Sequence, residues 1–333
     1  MAKKTIKTSV EEKLDKSKDI GKSIRPNTLS DYIGQEKLKQ SVAVLVKSAK
    51  VRNEAPGHIL LYGQPGLGKT TMAYILANEM NMPIVTTVGN NIEKPSDVAA
   101  LLNGIIDNSI VFIDEIHRMN SVAEECLYSA MEDGFISILI GEGAQAKNIK
   151  LTLPKFTLIG ATTKAGMISA PLRDRFIYQY KMEPYTIDEL KQIAKNTCNK
   201  LEIYPNNIQL ETIASVSRGV PRAVNKYCIL IRDYAFAYSN GIMDCNTVDN
   251  ALKLAGVYKN GLTNIDIELL KILYNSKKAV GIKTLTNILG EDENTIKEVY
   301  EPFLLSKGYI IIESKGRNIT EMGKEYLEKN YVE

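Results

Sequence analysis

The order of apolar and polar positions predicts an α/β unit in the first half of the chain. Between Ile24 and about Met182, short apolar runs alternate with stretches of helical spacing. Strands buried in a parallel sheet are apolar almost throughout, because helices cover both faces of the sheet. The pattern therefore indicates a parallel sheet, whose clearest strands are 58–63, 109–115 and 156–163.

Other segments depart from this alternation. Residues 135–152 hold two β-rich arms around a Gly-Glu-Gly loop, which predicts a hairpin. Residues 183–255 have helical spacing throughout and predict an all-helical unit. Residues 256–333 predict three helices, a short hairpin and a last helix, which is the winged form of the helix-turn-helix. Residues 1–23 are polar and aperiodic, and we expect a flexible tail there.

The composition is that of a globular protein without a membrane segment. The 333 residues are 44% hydrophobic and 24% charged. No run approaches the roughly 18 apolar residues of a membrane helix, and the N-terminus lacks the apolar core of a secretory signal. The four cysteines form no metal-binding pattern. We therefore expect a cytoplasmic protein with reduced thiols and no membrane partner.

The charge excludes a broad basic face. The net charge is +3, and residues 1–23, with seven Lys and four acidic residues, account for that excess. Nucleic-acid binding would therefore have to rest on local patches. Nine of the 42 basic residues are Arg. Because Lys cannot replace the bidentate guanidinium, each Arg is a candidate for a specific contact.

A glycine-rich segment predicts a phosphate-binding loop. Residues 63–70 match G-x-x-x-x-G-K-T, directly after a predicted strand and at the start of a predicted helix. The backbone N–H groups of such a loop close around phosphates, and the helix N-terminus favours an anion. Lys69 is expected to reach the β- and γ-phosphates, and Thr70 to bind Mg²⁺. We therefore predict ATP and Mg²⁺ as ligands, with nucleotide-binding residues Gly66, Gly68, Lys69, Thr70 and Thr71.

Acidic and hydroxyl side chains follow two other predicted strands. Asp114 is expected to hold Mg²⁺ through water, and Glu115 to orient or deprotonate the attacking water. Thr163, or Thr162 in its place, is expected to donate a hydrogen bond to the γ-phosphate or the attacking water. His117 either couples this site to a neighbour or packs as a structural residue.

Two arginine segments complete the candidate chemistry. Arg173 and Arg175 follow the Thr strand, and Arg218 and Arg222 lie in the helical segment. Phosphoryl transfer needs positive charge against the γ-phosphate in the transition state, and Arg supplies it. A surface salt bridge is the alternative for each segment.

Together these motifs resemble the AAA+ ATPases and, within them, the RuvB family of Holliday-junction branch-migration motors. The resemblance covers about residues 20–320. It rests on segments 24–26, 31–35, 65–71, 112–118, 128–133, 140–143, 160–163, 171–176 and 218–222. The chain departs from the family pattern at Lys164, Ile177 and Ile312, of which Ile312 occupies a wing position that is often basic.

The resemblance implies three domains and a ring. A large ATPase domain would span 24–182, a helical lid 183–255 and a DNA-binding winged helix 256–333. In a homo-hexamer, Arg175 would act on the neighbour's ATP, while Arg222 would contact the γ-phosphate in its own subunit. The base and ribose would lie against Ile24, Arg25 and Tyr185. The adjoining subunit's nucleotide would lie near Glu132, Asp133 and Gly134.

The resemblance also implies partners. The hairpin would dock RuvA through Ile138 and Leu139, for which ordinary hairpin packing is the alternative. Lys315 and Arg317 on the wing would contact the phosphates of duplex or four-way-junction DNA, which carry no sequence information. With Ile312 in the wing, the DNA contacts would depend more on these two residues and on backbone amides. RuvC is a further expected partner.

The function implied is an ATP-driven DNA translocase that acts in branch migration during recombination and repair. A clamp-loader-like subunit is the alternative within the AAA+ ATPases, but such subunits end in a helical collar instead of a winged helix. A nucleotide-gated scaffold without productive hydrolysis is a third hypothesis. The presence of both Asp114 and Glu115 argues against the scaffold.

Overall fold

The computed structural model describes residues 24–140, 147–276 and 278–331, which divide into two compact units. The first unit contains the described residues up to Ile193, together with Val220–Asn225. The second contains Ala194–Gly219 and the described residues from Lys226 onward. Each unit is described by itself below.

The first unit is built on a five-stranded parallel sheet. Its strands in chain order are β1 (Ile59–Tyr62), β2 (Ile84–Val88), β3 (Ser109–Asp114), β6 (Phe156–Thr162) and β7 (Tyr178–Lys181). In space the order is β2-β3-β6-β1-β7. The helices that begin in this part of the chain are α1 (Glu36–Arg52), α2 (Lys69–Met80), α3 (Pro95–Asn103), α4 (Ser121–Asp133), α5 (Ala170–Asp174), α6 (Ile187–Lys200) and α8 (Pro221–Tyr238).

The three middle strands hold the core, and their register aligns the candidate site. Every residue of β6 is buried, as are all residues of β3 except Asp114 at its end. Tyr62 pairs with Thr162, and Ile113 pairs with Gly160. The carboxyl ends of β1, β3 and β6 therefore lie side by side, and the loops after them meet at one edge of the sheet.

The predicted hairpin is present. Strand β4 (Phe135–Ile140) pairs antiparallel with β5 (Lys147–Thr152), with Ile136 opposite Leu151. Residues 141–146 lie outside the described part of the chain, and so do the side chains of Ile138 and Leu139. The partner contact expected of these two residues stays a prediction.

The second unit contains helices and a small wing. Its further helices are α7 (Asn207–Val216), α9 (Cys245–Leu254), α10 (Asn264–Asn275), α11 (Ile282–Leu289), α12 (Glu293–Thr295), a π-helical turn (Ile296–Tyr300), α13 (Glu301–Ser306) and α14 (Glu321–Tyr331). Strands β8 (Ile310–Glu313) and β9 (Gly316–Ile319) pair as an antiparallel wing. A buried cluster that includes Leu270, Leu285, Leu304 and Leu327 packs these helices together.

Arg218 joins two parts of the second unit. It follows α7 with a left-handed φ of 54°, and its Nε donates to the Gly261 carbonyl oxygen at 2.7 Å. Its guanidinium pairs with Asp266, which is 0% exposed, and lies 3.8 Å from the centroid of the Phe303 ring. Removing one partner of such a buried pair leaves an uncompensated charge. Arg218 therefore ties α7 to the helices of the winged-helix segment.

Candidate nucleotide and DNA sites

The phosphate-binding loop has a backbone that glycine adopts without strain. Gly66 and Gly68 have φ of 83° and 102°, in the left-handed region. A Cβ on Gly66 would press against Val220, and one on Gly68 would press against the Tyr32 hydroxyl. Helix α2 begins at the next residue, Lys69, so the N–H groups of its first turn are directed toward this loop.

Lys69 is a buried cation inside the loop. It is 6% exposed, and its Nζ donates to the carbonyl oxygens of Gly63 at 2.8 Å and Gln64 at 2.9 Å. Burial lowers the pKa of Lys69, and the nearby charges of Glu115 and Asp114 oppose that shift. Anionic phosphate at this position would replace the carbonyl oxygens with a stronger, charged acceptor.

Two oxygens beside the loop suit a magnesium ion. The Thr70 hydroxyl donates to the Asp114 Oδ2 across 3.5 Å. Hydroxyl and carboxylate oxygens are the donor types that Mg²⁺ prefers, and the rest of its shell is commonly water and substrate phosphate. The described residues include no cluster of three or more His, Cys, Asp or Glu side chains that would hold a metal unaided. The donor set therefore fits a magnesium ion that arrives with the nucleotide.

Glu115 lies in a network of polar side chains between β3 and β6. The Thr163 hydroxyl donates to Glu115 Oε2 at 3.1 Å, and His117 Nδ1 lies 3.2 Å from the same oxygen. The Thr162 hydroxyl is buried and lies 2.9 Å from His117 Nδ1. The two threonines therefore differ in position: Thr163 faces the carboxylate, whereas Thr162 packs behind the imidazole.

Two tyrosines, Tyr32 and Tyr185, contact the phosphate-binding loop at Leu67. The Tyr185 hydroxyl lies 2.9 Å from the Tyr32 hydroxyl and 3.3 Å from the Leu67 carbonyl oxygen. Burial raises the pKa of Tyr185 to about 12 and raises that of Tyr32 as well. Sequence reasoning gave Tyr32 no role, although it lies in the motif at 31–35. Of the other predicted base-site residues, Ile24 is buried and Arg25 is exposed.

Arg222 also lies near the loop within the first unit. Its backbone N–H donates to the Gly66 carbonyl oxygen at 3.4 Å, and its positive charge contributes to the lowered pKa of Lys69. The side chain is exposed. These positions suit a contact with the terminal phosphate, which stays a prediction.

Arg175 forms an ion pair with Glu132. These are two residues that the resemblance places near the neighbouring subunit's nucleotide. Phe176, which is buried in the core, follows Arg175 directly and anchors the segment. Arg175 Nε is buried and has no hydrogen-bond partner in the described part of the chain. Asp133 and Gly134 are exposed at the end of α4.

The wing separates the two residues expected to bind DNA. Lys315 is exposed in the turn between β8 and β9. Arg317 donates from Nε and Nη2 to the Glu301 carboxylate at 2.6 and 3.2 Å, and these side chains are 11% and 4% exposed. Its backbone also pairs with Val280. The Arg317 guanidinium holds the wing to α13, and the phosphate contact expected of Arg317 stays a prediction.

Comparison with known proteins identifies the family. A model of the Holliday junction DNA helicase RuvB P-loop domain matches residues 24–182, a RuvB AAA lid model matches 185–258, and a RuvB C-terminal winged helix model matches 259–328. This chain is 45% identical to the Holliday junction branch migration complex subunit RuvB of Fusobacterium nucleatum and 46% identical to that of Campylobacter hominis. Those alignments cover 93% and 96% of this chain and 94% of each relative. The chain belongs to the RuvB family.

Solved RuvB structures agree with this assignment. The structure of the Thermotoga maritima RuvB Holliday junction branch migration motor superimposes with a TM-score of 0.79 at 35% identity, covering 92% of this chain and 98% of that chain. The fold class expected from the sequence, a parallel-sheet P-loop domain followed by a helical lid and a winged helix, is confirmed. As a P-loop member of the RuvB family, the chain binds nucleotide. In the described residues no helix is long and apolar enough to cross a bilayer.

The Arg317 pair predicts a stability effect within this RuvB chain. We expect Arg317→Met to destabilise the second unit by about 3 kcal/mol, because the buried Glu301 carboxylate loses its partner. Urea unfolding of the full chain, followed by tyrosine fluorescence, measures the shift. Lys315→Met removes a positive charge from the same wing without touching a buried partner, and its unfolding midpoint should match the parent. Equal midpoints for both variants would contradict the structural role of Arg317.

Proposed function

We propose that this chain is the ATP-driven motor subunit of a Holliday junction branch migration complex. In this proposal it forms a hexameric ring that moves duplex DNA through its centre at a four-way junction. The observation that carries the proposal is the convergence of Lys69, Asp114, Glu115 and Thr163 at one edge of the parallel sheet. That edge belongs to a chain that also contains a winged helix, and its relatives are named as branch migration subunits.

The site geometry supports a division of labour during hydrolysis. The backbone of 63–68 and the Lys69 ammonium would hold the phosphates, and Thr70 with Asp114 would hold Mg²⁺. Bound magnesium neutralises part of the phosphate charge. Glu115 would orient the attacking water and accept its proton, and Thr163 would donate to the γ-phosphate or that water.

Arginines would supply the remaining positive charge. In this scheme Arg222 reaches the γ-phosphate in its own subunit, and Arg175 reaches the nucleotide of the adjoining subunit. Glu132, Asp133 and Gly134 would form the rim around that second nucleotide. Since Arg175 and Glu132 are paired within one chain, ring assembly would have to redirect the guanidinium from Glu132 to phosphate.

DNA and protein partners would bind at separate elements. Lys315 at the exposed wing turn would contact phosphate, and repetition around the ring would multiply this weak contact. The hairpin of β4 and β5, with Ile138 and Leu139, would dock RuvA, and RuvC would join the same junction complex. We expect the complex to act in the cytoplasm.

A four-way-junction assay tests the proposed function. We expect the purified chain to convert a synthetic junction into duplex products only with ATP, and faster with RuvA than without it. Lys69→Ala should abolish conversion, since the loss of a preorganised charge costs about 10²-fold or more in turnover. Failure of the parent chain to migrate a junction with or without RuvA would overturn the proposal.

A clamp-loader subunit is not favoured. Such a subunit would end in a helical collar, whereas α10, α11 and the β8–β9 wing match the RuvB winged-helix model. A scaffold without hydrolysis is also disfavoured, because Asp114 and Glu115 both lie at the nucleotide edge. Steady-state ATP hydrolysis by the parent chain separates the motor from the scaffold.

A further inference from the structure

In the described part of the chain, the polar contacts given for the Glu115 carboxylate fall on one oxygen, Oε2. Among the described residues, Oε2 receives the Thr163 hydroxyl at 3.1 Å and the Thr163 N–H at 3.4 Å, and it lies 3.2 Å from His117 Nδ1. The other oxygen, Oε1, is therefore the one available to a water molecule. Whatever holds Oε2 sets the direction in which Oε1 points.

The His117 imidazole is fixed in place behind this carboxylate. Its side chain is 4% exposed, and the residue lies in a 3₁₀ turn that begins directly after Glu115. Nδ1 is 2.9 Å from the Thr162 Oγ1, which already accepts the N–H of Lys164 at 2.9 Å. When Nδ1 carries its one proton, that proton is shared between the Thr162 hydroxyl oxygen at 2.9 Å and Glu115 Oε2 at 3.2 Å.

The backbone of Glu115 is held as firmly as its side chain. Glu115 has a left-handed φ of 48°, a conformation that is strained for a residue other than glycine. The short helix at Gly89–Asn91 packs against it, and a Cβ on Gly89 would collide with the Glu115 carbonyl oxygen. The packed backbone and the buried imidazole leave the carboxylate little freedom to rotate.

The Thr163 hydroxyl has one proton to donate. In the proposed reaction the Thr163 hydroxyl donates its hydrogen bond to the γ-phosphate or the attacking water. It then no longer donates to Glu115. The long contact from the Thr163 N–H is a poor replacement at 3.4 Å. In the tautomer that carries its proton on Nδ1, His117 is the side chain of this described network that stays within donor range of Oε2, at 3.2 Å.

We propose that His117 is a positioning residue that holds Glu115 Oε2 so that Oε1 faces the attacking water. This inference rests on the proposed role of Glu115 as the group that accepts the water proton. In this inference His117 contributes to ATP hydrolysis through Glu115 and does not contact the nucleotide itself. Thr162 supports it by fixing the ring, and Lys164 contributes through its backbone N–H.

A matched pair of substitutions tests the inference. His117→Leu fills the buried space without a donor, whereas His117→Asn places an amide N–H close to the position of Nδ1. We expect His117→Leu to lower kcat about 10- to 100-fold, the usual effect of losing a hydrogen bond to a charged group. KM for ATP and the Kd of a fluorescent ADP analogue should change less than about 2-fold, and His117→Asn should recover most of kcat.

A double-mutant cycle asks whether His117 acts through Glu115. In a Glu115→Gln background, adding His117→Leu should lower the single-turnover rate by less than about 2-fold, because the carboxylate is already absent. Multiplicative losses would overturn the inference. So would full activity of His117→Leu, or a loss of kcat that His117→Asn fails to recover. High activity of Glu115→Gln alone would instead overturn the assignment of Glu115 within the proposed function.

Discussion

Replacing Glu115 by Gln is expected to lower ATP turnover by about 10²- to 10⁴-fold, the usual contribution of a positioned general base. The amide keeps the size of the side chain and a contact for the Thr163 hydroxyl, but it cannot accept the proton of water. Phosphate binding depends on Lys69 and the loop, so ATP affinity should stay within about 2-fold of the parent. Single-turnover hydrolysis and equilibrium binding of labelled ATP measure the two quantities.

The control for this substitution is Glu125→Gln. Glu125 is exposed on α4, and its replacement changes the net charge by the same amount. Turnover of this variant should match the parent. If Glu115→Gln hydrolysed ATP at a rate near that of Glu125→Gln, another group would have to activate the water. The network of Thr163 and His117 around the carboxylate would then be structural.

Replacing Arg175 by Ala is expected to lower turnover of the assembled ring by about 10³-fold or more, the range found for arginine fingers. Arg175 directly precedes a buried core residue, and its guanidinium is partly exposed. Among the described residues its Nε has no hydrogen-bond partner. These features suit a contact that another subunit completes. Arg175→Lys should recover little, because an ammonium lacks the bidentate fork. Arg52→Ala is the control, since Arg52 is an exposed arginine at the end of α1 that has no part in the proposed site.

Mixing subunits tests whether the arginine acts across the ring. Arg175→Ala subunits keep Glu115, and Glu115→Gln subunits keep Arg175. A mixed ring therefore contains interfaces with both groups intact. We expect mixtures of the two inactive variants to recover a measurable fraction of parent ATP turnover. Strict inactivity of all mixtures, with ring formation confirmed by sedimentation, would show that Arg175 acts within its own subunit or only in folding.

The parts of the fold that could be predicted are those encoded locally. The phosphate-binding loop and the acidic end of β3 are short continuous motifs, and the central strands are mostly apolar. Strands β2 and β7 were missed because they lie at the two edges of the sheet, where exposed polar residues such as Thr86 and Gln179 interrupt the apolar pattern. An edge strand has one neighbour and less need for a continuous apolar run.

The site was predictable to the same extent. Lys69, Asp114 and Glu115 follow from motifs, but the ion-pair partners of the arginines come from distant parts of the chain. The pairing of Arg317 with Glu301 spans 16 residues, and that of Arg175 with Glu132 spans 43. A single sequence does not reveal which carboxylate neutralises which guanidinium. The ion pair of Arg317, a residue expected to contact DNA, with Glu301 was therefore not predicted.

The Arg218 ion pair has a mechanical consequence. It fastens α7 to the start of α10 through a buried carboxylate and stacks on Phe303. These contacts restrict the movement of α7 relative to the winged helix of the second unit. We therefore expect α7 and the winged helix, which carries Lys315 at its exposed turn, to move together. Four residues further along the chain, the backbone N–H of Arg222 donates to the Gly66 carbonyl oxygen in the phosphate-binding loop of the first unit.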